Sequence, residues 1–130
     1  MFPEMLNHVK EIMVTNVATT SPDRTLAEAA KIMEEKNIGS LVVVDRERVV
    51  GILTERDFLR LAAKGYDSRT ATVFDGMSKP AVTCEPLTTI TDAFVLMRTH
   101  RVRHLPVIEK ERLVGIVSLR DLISVGKLLL

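Results

Sequence analysis

The chain has 130 residues, the size of one ordinary domain, and can bury a core without a metal or a disulfide. Its 18 basic and 17 acidic residues give a net charge of +1, and 4% of its residues are aromatic. These values exclude the strongly basic surface of a duplex-binding protein and disfavour a stacking platform for single strands. The single cysteine excludes an internal disulfide and predicts a reducing, cytoplasmic location. No apolar run is long enough to cross a bilayer, and the first ten residues lack the apolar core of a signal peptide.

The chain is predicted to begin with a short lead-in helix. Apolar residues that include Leu6 and Val9 precede Val14 at spacings that favour a helix. A short extended segment, 17–20, follows and ends before Pro22, since a proline disfavours helix in the residue before it.

A helix, two strands and a second helix are predicted next. Thr25 and Glu28 form the pattern of a capping box. The apolar residues that follow at helical spacing are Leu26, Ala29, Ala30 and Met33. Two apolar runs, 41–44 and 49–54, flank a charged turn and predict strands, and a second helix is expected to start near Glu55.

The same order of elements occurs twice. Residues 9–60 align without a gap with residues 73–124, an offset of 64 positions. Each copy reads β-α-β-β-α, and residues 63–72 form the connector. One copy has a sheet too small to cover both its faces, so we predict an α+β fold of two repeats packed with pseudo-two-fold symmetry. We expect the first repeat, with the lead-in helix, in residues 1–64 and the second, with the connector, in residues 65–130.

The most informative string, Gly-Ile-Leu-Thr-Glu-Arg-Asp at residues 51–57, has a twin, Gly-Ile-Val-Ser-Leu-Arg-Asp, at residues 115–121. A glycine inside a strand leaves room for a backbone or a ligand to approach closely. The hydroxyl and the aspartate lie at a helix start, where free N–H groups favour anions. A carboxylate can accept hydrogen bonds from two neighbouring sugar hydroxyls, and an adjacent arginine can pair with phosphate.

A capping box explains part of the same string. Thr or Ser followed three residues later by Asp is a common helix start, and the glycine could simply relieve crowding in the sheet. A cap alone requires neither the glycine nor the arginine, yet both copies have them. The sequence therefore leaves the capping role and a ligand-binding role open.

The duplicated motif resembles the pattern of cystathionine-β-synthase (CBS) domains, in which a strand glycine precedes Thr or Ser and then Asp or Asn. The run His-Arg-Val-Arg-His-Leu-Pro-Val at residues 100–107 resembles a second hallmark of that family. The resemblance covers residues 9–124 and implies a tandem CBS pair. It implies a regulatory module, not an enzyme, that binds AMP, ADP, ATP or S-adenosylmethionine in clefts between the repeats.

The resemblance also implies roles for individual residues. Asp57 and Asp121 would hold ribose hydroxyls, and Thr54 and Ser118 would contact ribose or phosphate. Backbone near Thr19 and Thr83, with apolar groups near Pro106, would line the adenine. The phosphate candidates are Arg56, Arg120, Arg103 and His104, and Ser40, which takes the place of His104 in the first copy, completes the predicted nucleotide site.

The two copies differ in charge next to the motif. Arg103 and His104 in the second copy replace Gly39 and Ser40 in the first. Part of the basic run 98–104 is explained as a solvated helix end, where cations offset the negative end of the dipole. For Arg103 and His104 we favour contact with phosphate. We therefore expect one copy to bind an anionic adenine nucleotide better than the other.

Other chemistries find little support. The three histidines share no ligand-like spacing with Cys84 or with one another, so no metal site is expected. We predict no cofactor other than an adenine nucleotide as regulatory ligand. The expected partners are that ligand, a second copy of the chain in a homodimer and an effector protein, with neither nucleic acid nor membrane. The alternatives are a structural dimerisation module without ligand and an S-adenosylmethionine sensor.

Overall fold

The computed structural model describes the backbone of residues 7–129 and the side chains of residues 7–125. The predicted role of Leu6 in the lead-in helix therefore lies outside the described residues. The chain forms two compact units: Ala18–Ala81 is one, and the other combines the residues up to Val17 with those from Val82 onward. The compact units therefore differ from the sequence repeats divided at residue 64.

The continuous unit has a three-stranded sheet and three helices. Its elements are β1 (Thr19–Thr20), α1 (Leu26–Lys36), β2 (Ser40–Asp45), β3 (Arg48–Thr54), α2 (Glu55–Ala63) and α3 (Val73–Gly76). β2 pairs in parallel with β1 and antiparallel with β3. The predicted helices and strands are confirmed, whereas the one-turn helix α3 was not predicted because four residues are too few to show a periodic pattern.

The other unit, which we call the discontinuous unit, repeats this plan. It contains a 3-10 turn at Val9–Glu11, then α4 (Ile90–His100), β4 (His104–Glu109), β5 (Arg112–Ser118) and α5 (Leu119–Leu129). β4 and β5 are antiparallel, and a single parallel bridge from Cys84 to Val107 takes the place of β1. The predicted lead-in helix is thus one 3-10 turn. No helix within residues 7–129 is long and apolar enough to cross a membrane.

Side chains cap the first helix of each unit as the sequence predicts. Thr25 Oγ1 accepts from the backbone N–H of Glu28 at 3.1 Å, and the Glu28 carboxylate accepts from the backbone N–H of Thr25 at 2.9 Å. The hydrogen bond from the Thr25 backbone holds the pKa of Glu28 below its usual value. Thr89 Oγ1 accepts from the backbone N–H of Asp92 at 3.0 Å at the start of α4. These bonds satisfy N–H groups that the first turn leaves without partners.

Each unit has its own core, and the core of the discontinuous unit contains residues from both of its segments. The continuous unit buries Leu26, Ala29, Met33, Leu41, Val43, Leu53, Leu61, Ala71, Val73 and Met77. The discontinuous unit buries Val9, Cys84, Ala93, Met97, Leu105, Val107, Val117 and Leu122. Val9 is fully buried among residues of the second sequence copy, which is why its segment belongs to that unit.

Two short stretches, residues 9–14 and 73–78, complete the sheets, and we call them the lead segments. The backbone of Ser78 exchanges two hydrogen bonds with Ile52 of β3, at 2.9 and 3.2 Å. Val14 exchanges two with Ile116 of β5, both at 2.9 Å. The lead segment 9–14 precedes the first copy but pairs with a strand of the second. The lead segment 73–78 precedes the second copy but pairs with a strand of the first. This pairing explains why the compact units differ from the sequence repeats.

A glycine in β3 and another in β5 make this pairing possible. A Cβ atom at Gly51 would lie 2.7 Å from the carbonyl oxygen of Ser78 and 2.8 Å from Sδ of Met77. A Cβ atom at Gly115 would lie 2.6 Å from Sδ of Met13 and 3.1 Å from the carbonyl oxygen of Val14. The close approach that the motif glycines predicted is therefore made by the chain itself.

We predict that Gly51→Ala destabilises the protein by about 1–3 kcal/mol, because its new methyl group overlaps a backbone carbonyl that cannot move without breaking the pairing with Ile52. Gly115→Ala should cost less, since the shortest contacts there are to the flexible Met13 side chain. Urea unfolding measures both. Met13→Ala should offset part of the loss in Gly115→Ala, whereas Met77→Ala should offset less of the loss in Gly51→Ala. Equal losses and equal rescue would contradict this account.

Candidate functional site

The duplicated motif lies where a strand ends and a helix begins, at the β3–α2 and β5–α5 junctions. The ladder places Ser40 directly opposite Thr54, and His104 directly opposite Ser118. The structure therefore brings the hydroxyl of each motif next to the first residue of the neighbouring strand. Asp57 and Asp121 follow within the first turn of their helices.

At the first junction the aspartate is engaged by its own chain. One carboxylate oxygen of Asp57, Oδ2, accepts from the backbone N–H of Thr54 at 2.8 Å and from Thr54 Oγ1 at 3.1 Å. The other oxygen accepts from Arg60 at 3.3 Å. Arg60 also donates to the carbonyl oxygen of Gly76 at 2.9 Å and so connects α2 with α3. Asp57 is 7% exposed, and its two oxygens both have partners.

The second junction keeps the cap but lacks the arginine. Asp121 Oδ2 accepts from the backbone N–H of Ser118 at 2.9 Å, and Ser118 Oγ accepts from the backbone N–H of Asp121 at 3.1 Å. The position equivalent to Arg60 is Ser124. Among the described residues, none donates a hydrogen bond to Oδ1 of Asp121. The capping role is therefore present at both junctions, and within residues 7–125 the arginine contact to the aspartate is found at the first junction alone.

The residues that precede β2 and β4 differ between the junctions. The carbonyl oxygen of Gly39 accepts from the backbone N–H of Glu55 at 3.1 Å, and that of Arg103 accepts from the backbone N–H of Leu119 at 2.8 Å. The two backbones are therefore equivalent. A Cβ atom at residue 39 would lie 2.6 Å from Oε1 of Glu55, so the glutamate side chain lies against Gly39.

The other predicted site residues are spread along the neighbouring strands. Arg56, Arg120 and Arg103 are exposed, and His104 is half-buried. Thr19 and Thr83 are exposed, and Pro106 is buried. In the continuous unit Thr19 lies opposite Val42. In the discontinuous unit the carbonyl oxygen of Pro106 accepts a hydrogen bond from the backbone N–H of Cys84 at 3.0 Å. Their predicted roles toward a nucleotide stay predictions.

Two residues that the motif did not single out shape the first junction. Arg60 lies three positions after Asp57, a spacing at which helical side chains meet, so its role had a signal in the sequence. The position of Glu55 against Gly39 had none. Within residues 7–125, no group of three His, Cys, Asp or Glu side chains is arranged to hold a metal ion.

Cys84 is buried in the core of its unit, where a free cysteine behaves as a small apolar residue. Burial raises the pKa of its thiol to about 11, with a smaller contribution from the charge of Glu85. The equivalent position in the continuous unit is Thr20, whose buried hydroxyl has no hydrogen-bond partner among the described residues.

Comparison with known proteins gives consistent results. The family model of the CBS domain matches residues 9–64 and 71–127. CBS domain-containing protein YhcV of Bacillus subtilis is 42% identical over 118 residues, which cover 90% of this chain and 84% of that protein. Inosine-5'-monophosphate dehydrogenase of Methanocaldococcus jannaschii is 39% identical over 116 residues, 88% of this chain but 22% of the enzyme. The CBS domain pair of protein MJ0100, solved with 5'-methylthioadenosine and S-adenosyl-L-methionine, superposes with a TM-score of 0.85 at 26% identity and covers 94% of this chain and 97% of that chain.

We predict that Asp57→Ala costs more stability than Asp121→Ala, about 1–2 against about 0.5–1 kcal/mol, because Asp57 is the more buried and has more partners. Urea unfolding of the two variants measures the difference. The Arg60 side chain is 44% exposed, so coupling between Asp57 and Arg60 in a double-mutant cycle should stay below about 1 kcal/mol. A larger loss for Asp121→Ala would contradict this assignment.

We also predict that a thiol reagent modifies native protein at pH 8 only slowly, because a thiol with a pKa of about 11 is almost wholly protonated there and is buried. Because folding favours the protonated thiol, Cys84 does not lower stability below its ordinary pKa near 9. The free energy of unfolding should fall as pH rises from there through the folded pKa of about 11. Labelling in urea should be fast and stoichiometric. Cys84 is the only cysteine, so rapid labelling of native protein would contradict its burial.

Proposed function

The chain belongs to the CBS domain family as a tandem pair, and from that premise we propose that it is a regulatory module that binds an adenosine-containing ligand at its duplicated motif. Ligand binding would then signal to an effector protein. The observation that carries the proposal is Asp121: one oxygen holds the helix cap, and the other has no donor among the described residues. That second oxygen suits the hydroxyls of a ribose.

The charges around Asp121 support an anionic ligand. Arg120 is adjacent in the first turn of α5, and the backbone of Arg103 bonds to the residue that starts this helix. Both side chains are exposed. Since guanidinium groups bind phosphate with two parallel hydrogen bonds, these residues favour AMP, ADP or ATP at the second motif. The adenine nucleotide would be a regulatory ligand, and no cofactor is proposed.

Similarity to other proteins supports regulation instead of catalysis. The region that matches this chain is 22% of inosine-5'-monophosphate dehydrogenase but 84% of YhcV. The MJ0100 pair was solved with two adenosine derivatives, which supports the ligand class. A cytoplasmic location, predicted from the single cysteine, is part of the same proposal.

A homodimer is also part of the proposal. Phe94 and Val95 on α4 are 41% and 52% exposed, and large apolar side chains at this exposure favour contact with a second copy. Dimerisation alone, without ligand, is the competing function. It is favoured by the capping bonds that occupy the motif aspartates.

Titration with AMP, ATP, S-adenosylmethionine and adenosine separates the two functions. If the proposal is right, a nucleotide at 100 times its dissociation constant stabilises the protein by about 2.7 kcal/mol in thermal unfolding. Asp121→Asn keeps an acceptor for the cap and should abolish this shift. Arg103→Ala should weaken AMP about tenfold and leave adenosine nearly unchanged, since adenosine has no phosphate.

Stabilisation by none of the four ligands would favour dimerisation as the function. Two equivalent sites in the titration, or AMP binding that is unchanged in Arg103→Ala, would contradict the assignment of phosphate to the second motif.

A further inference from the structure

The two junctions have the same backbone hydrogen bond but carry charged side chains of opposite sign next to it. In each, the residue before the strand accepts a hydrogen bond from the first residue of the following helix. At the second junction these residues are Arg103 and Leu119, so the charged side chain is a cation. At the first they are Gly39 and Glu55, so the charged side chain is an anion. The charged member of the bonded pair is thus a cation before the strand at one junction and an anion at the helix start at the other.

Glu55 lies where the side chain of residue 39 would begin. Its Oε1 is 2.6 Å from the position of a Cβ atom at Gly39, and the equivalent position in the second unit bears the arginine. No described residue forms a hydrogen bond or an ion pair with this carboxylate. It therefore places a negative charge next to Ser40, which lies opposite Thr54 of the motif.

The arginines of the first junction are either engaged or present at both junctions. Arg60 is engaged by Asp57 and by the carbonyl oxygen of Gly76. Arg56 is the one other arginine of the motif, and it is matched by Arg120 in the second unit. Apart from Arg60, which is engaged, and from His104 in place of Ser40, the charge difference between the junctions is Glu55 at the first and Arg103 at the second.

We propose that Glu55 determines the specificity of the first motif, by repelling phosphate and favouring an adenosine derivative whose 5' substituent is neutral or positively charged. This inference rests on the proposed function and on Oδ1 of Asp57, which accepts from Arg60 and as a carboxylate oxygen can accept a second bond from a ribose hydroxyl. It divides the two motifs by ligand charge: the second takes a phosphorylated adenosine, and the first takes one without phosphate. One chain then responds to two chemically different adenosine compounds.

The test uses the full chain with Asp121→Asn, which leaves the first motif as the site measured by calorimetric titration. Adenosine should bind this background more tightly than AMP. Adding Glu55→Gln, which removes the charge and keeps the shape, should raise the affinity for AMP about tenfold and change that for adenosine less than twofold. A tenfold change corresponds to about 1.4 kcal/mol, the size of an interaction between two partly solvated charges at short range.

Glu47→Gln is the matched control. It removes the same charge from the β2–β3 turn, at the opposite end of β3 and roughly 20 Å from the junction at about 3.3 Å per residue. It should leave both affinities unchanged, which separates a local effect from the change in net charge. In the reciprocal experiment, Leu119→Glu in the otherwise native chain should lower the affinity of the second motif for AMP about tenfold.

The outcomes distinguish the two proposals. If adenosine binds but Glu55→Gln leaves the affinity for AMP unchanged, Glu55 is not a specificity residue, and the proposed function stands. The same conclusion follows if Glu47→Gln raises the affinity for AMP as much as Glu55→Gln does. If none of AMP, ATP, S-adenosylmethionine and adenosine binds the native chain, the proposed function itself is wrong. Thermal unfolding of each variant verifies that its fold is intact.

Discussion

The pairing of each lead segment with a strand across a glycine is the constraint on which both units depend. Ser78 pairs with β3 and Val14 with β5, and the methionine before each lies against the motif glycine. A side chain at either glycine would collide with the segment that closes the sheet. The glycine and the methionine recur at the same offset, and in each unit they contact one another. The motif glycine therefore has a role in the fold itself, and the ligand binding that we propose concerns the residues that follow it.

Local patterns were sufficient to predict the longer helices and strands. Thr25 and Glu28 marked the start of α1, and the apolar runs marked the four long strands, because these signals act within a few residues. The choice of partners could not be predicted in the same way. Two similar copies offer two similar strands, so the pattern cannot say which one Val14 or Ser78 will join. The division of the chain into units depends on that choice, and it required the structure.

At the site, too, residue spacing in the sequence predicts some contacts and not others. The sequence left capping and ligand binding open at Asp57 and Asp121, and the structure adds that capping bonds occupy one oxygen of each. What separates the two aspartates is Arg60, whose spacing was visible but whose second bond, to Gly76, depends on the path of the chain. The contact of Glu55 with Gly39 joins residues from two different elements, and no periodic pattern encodes it.

The exchange of lead segments also sets an order of events during synthesis. Ala18–Ala81 is continuous and has all its parts once residue 81 has left the ribosome, whereas the other unit needs its first and last segments together. Residues 9–14 must therefore wait for β5, roughly 5–20 s later at the usual rates of elongation. During that interval β3 offers them the same glycine-bearing strand before Ser78 has been made. We therefore expect the two lead segments to compete for β3 in nascent chains, and in the folded protein β3 pairs with the later segment.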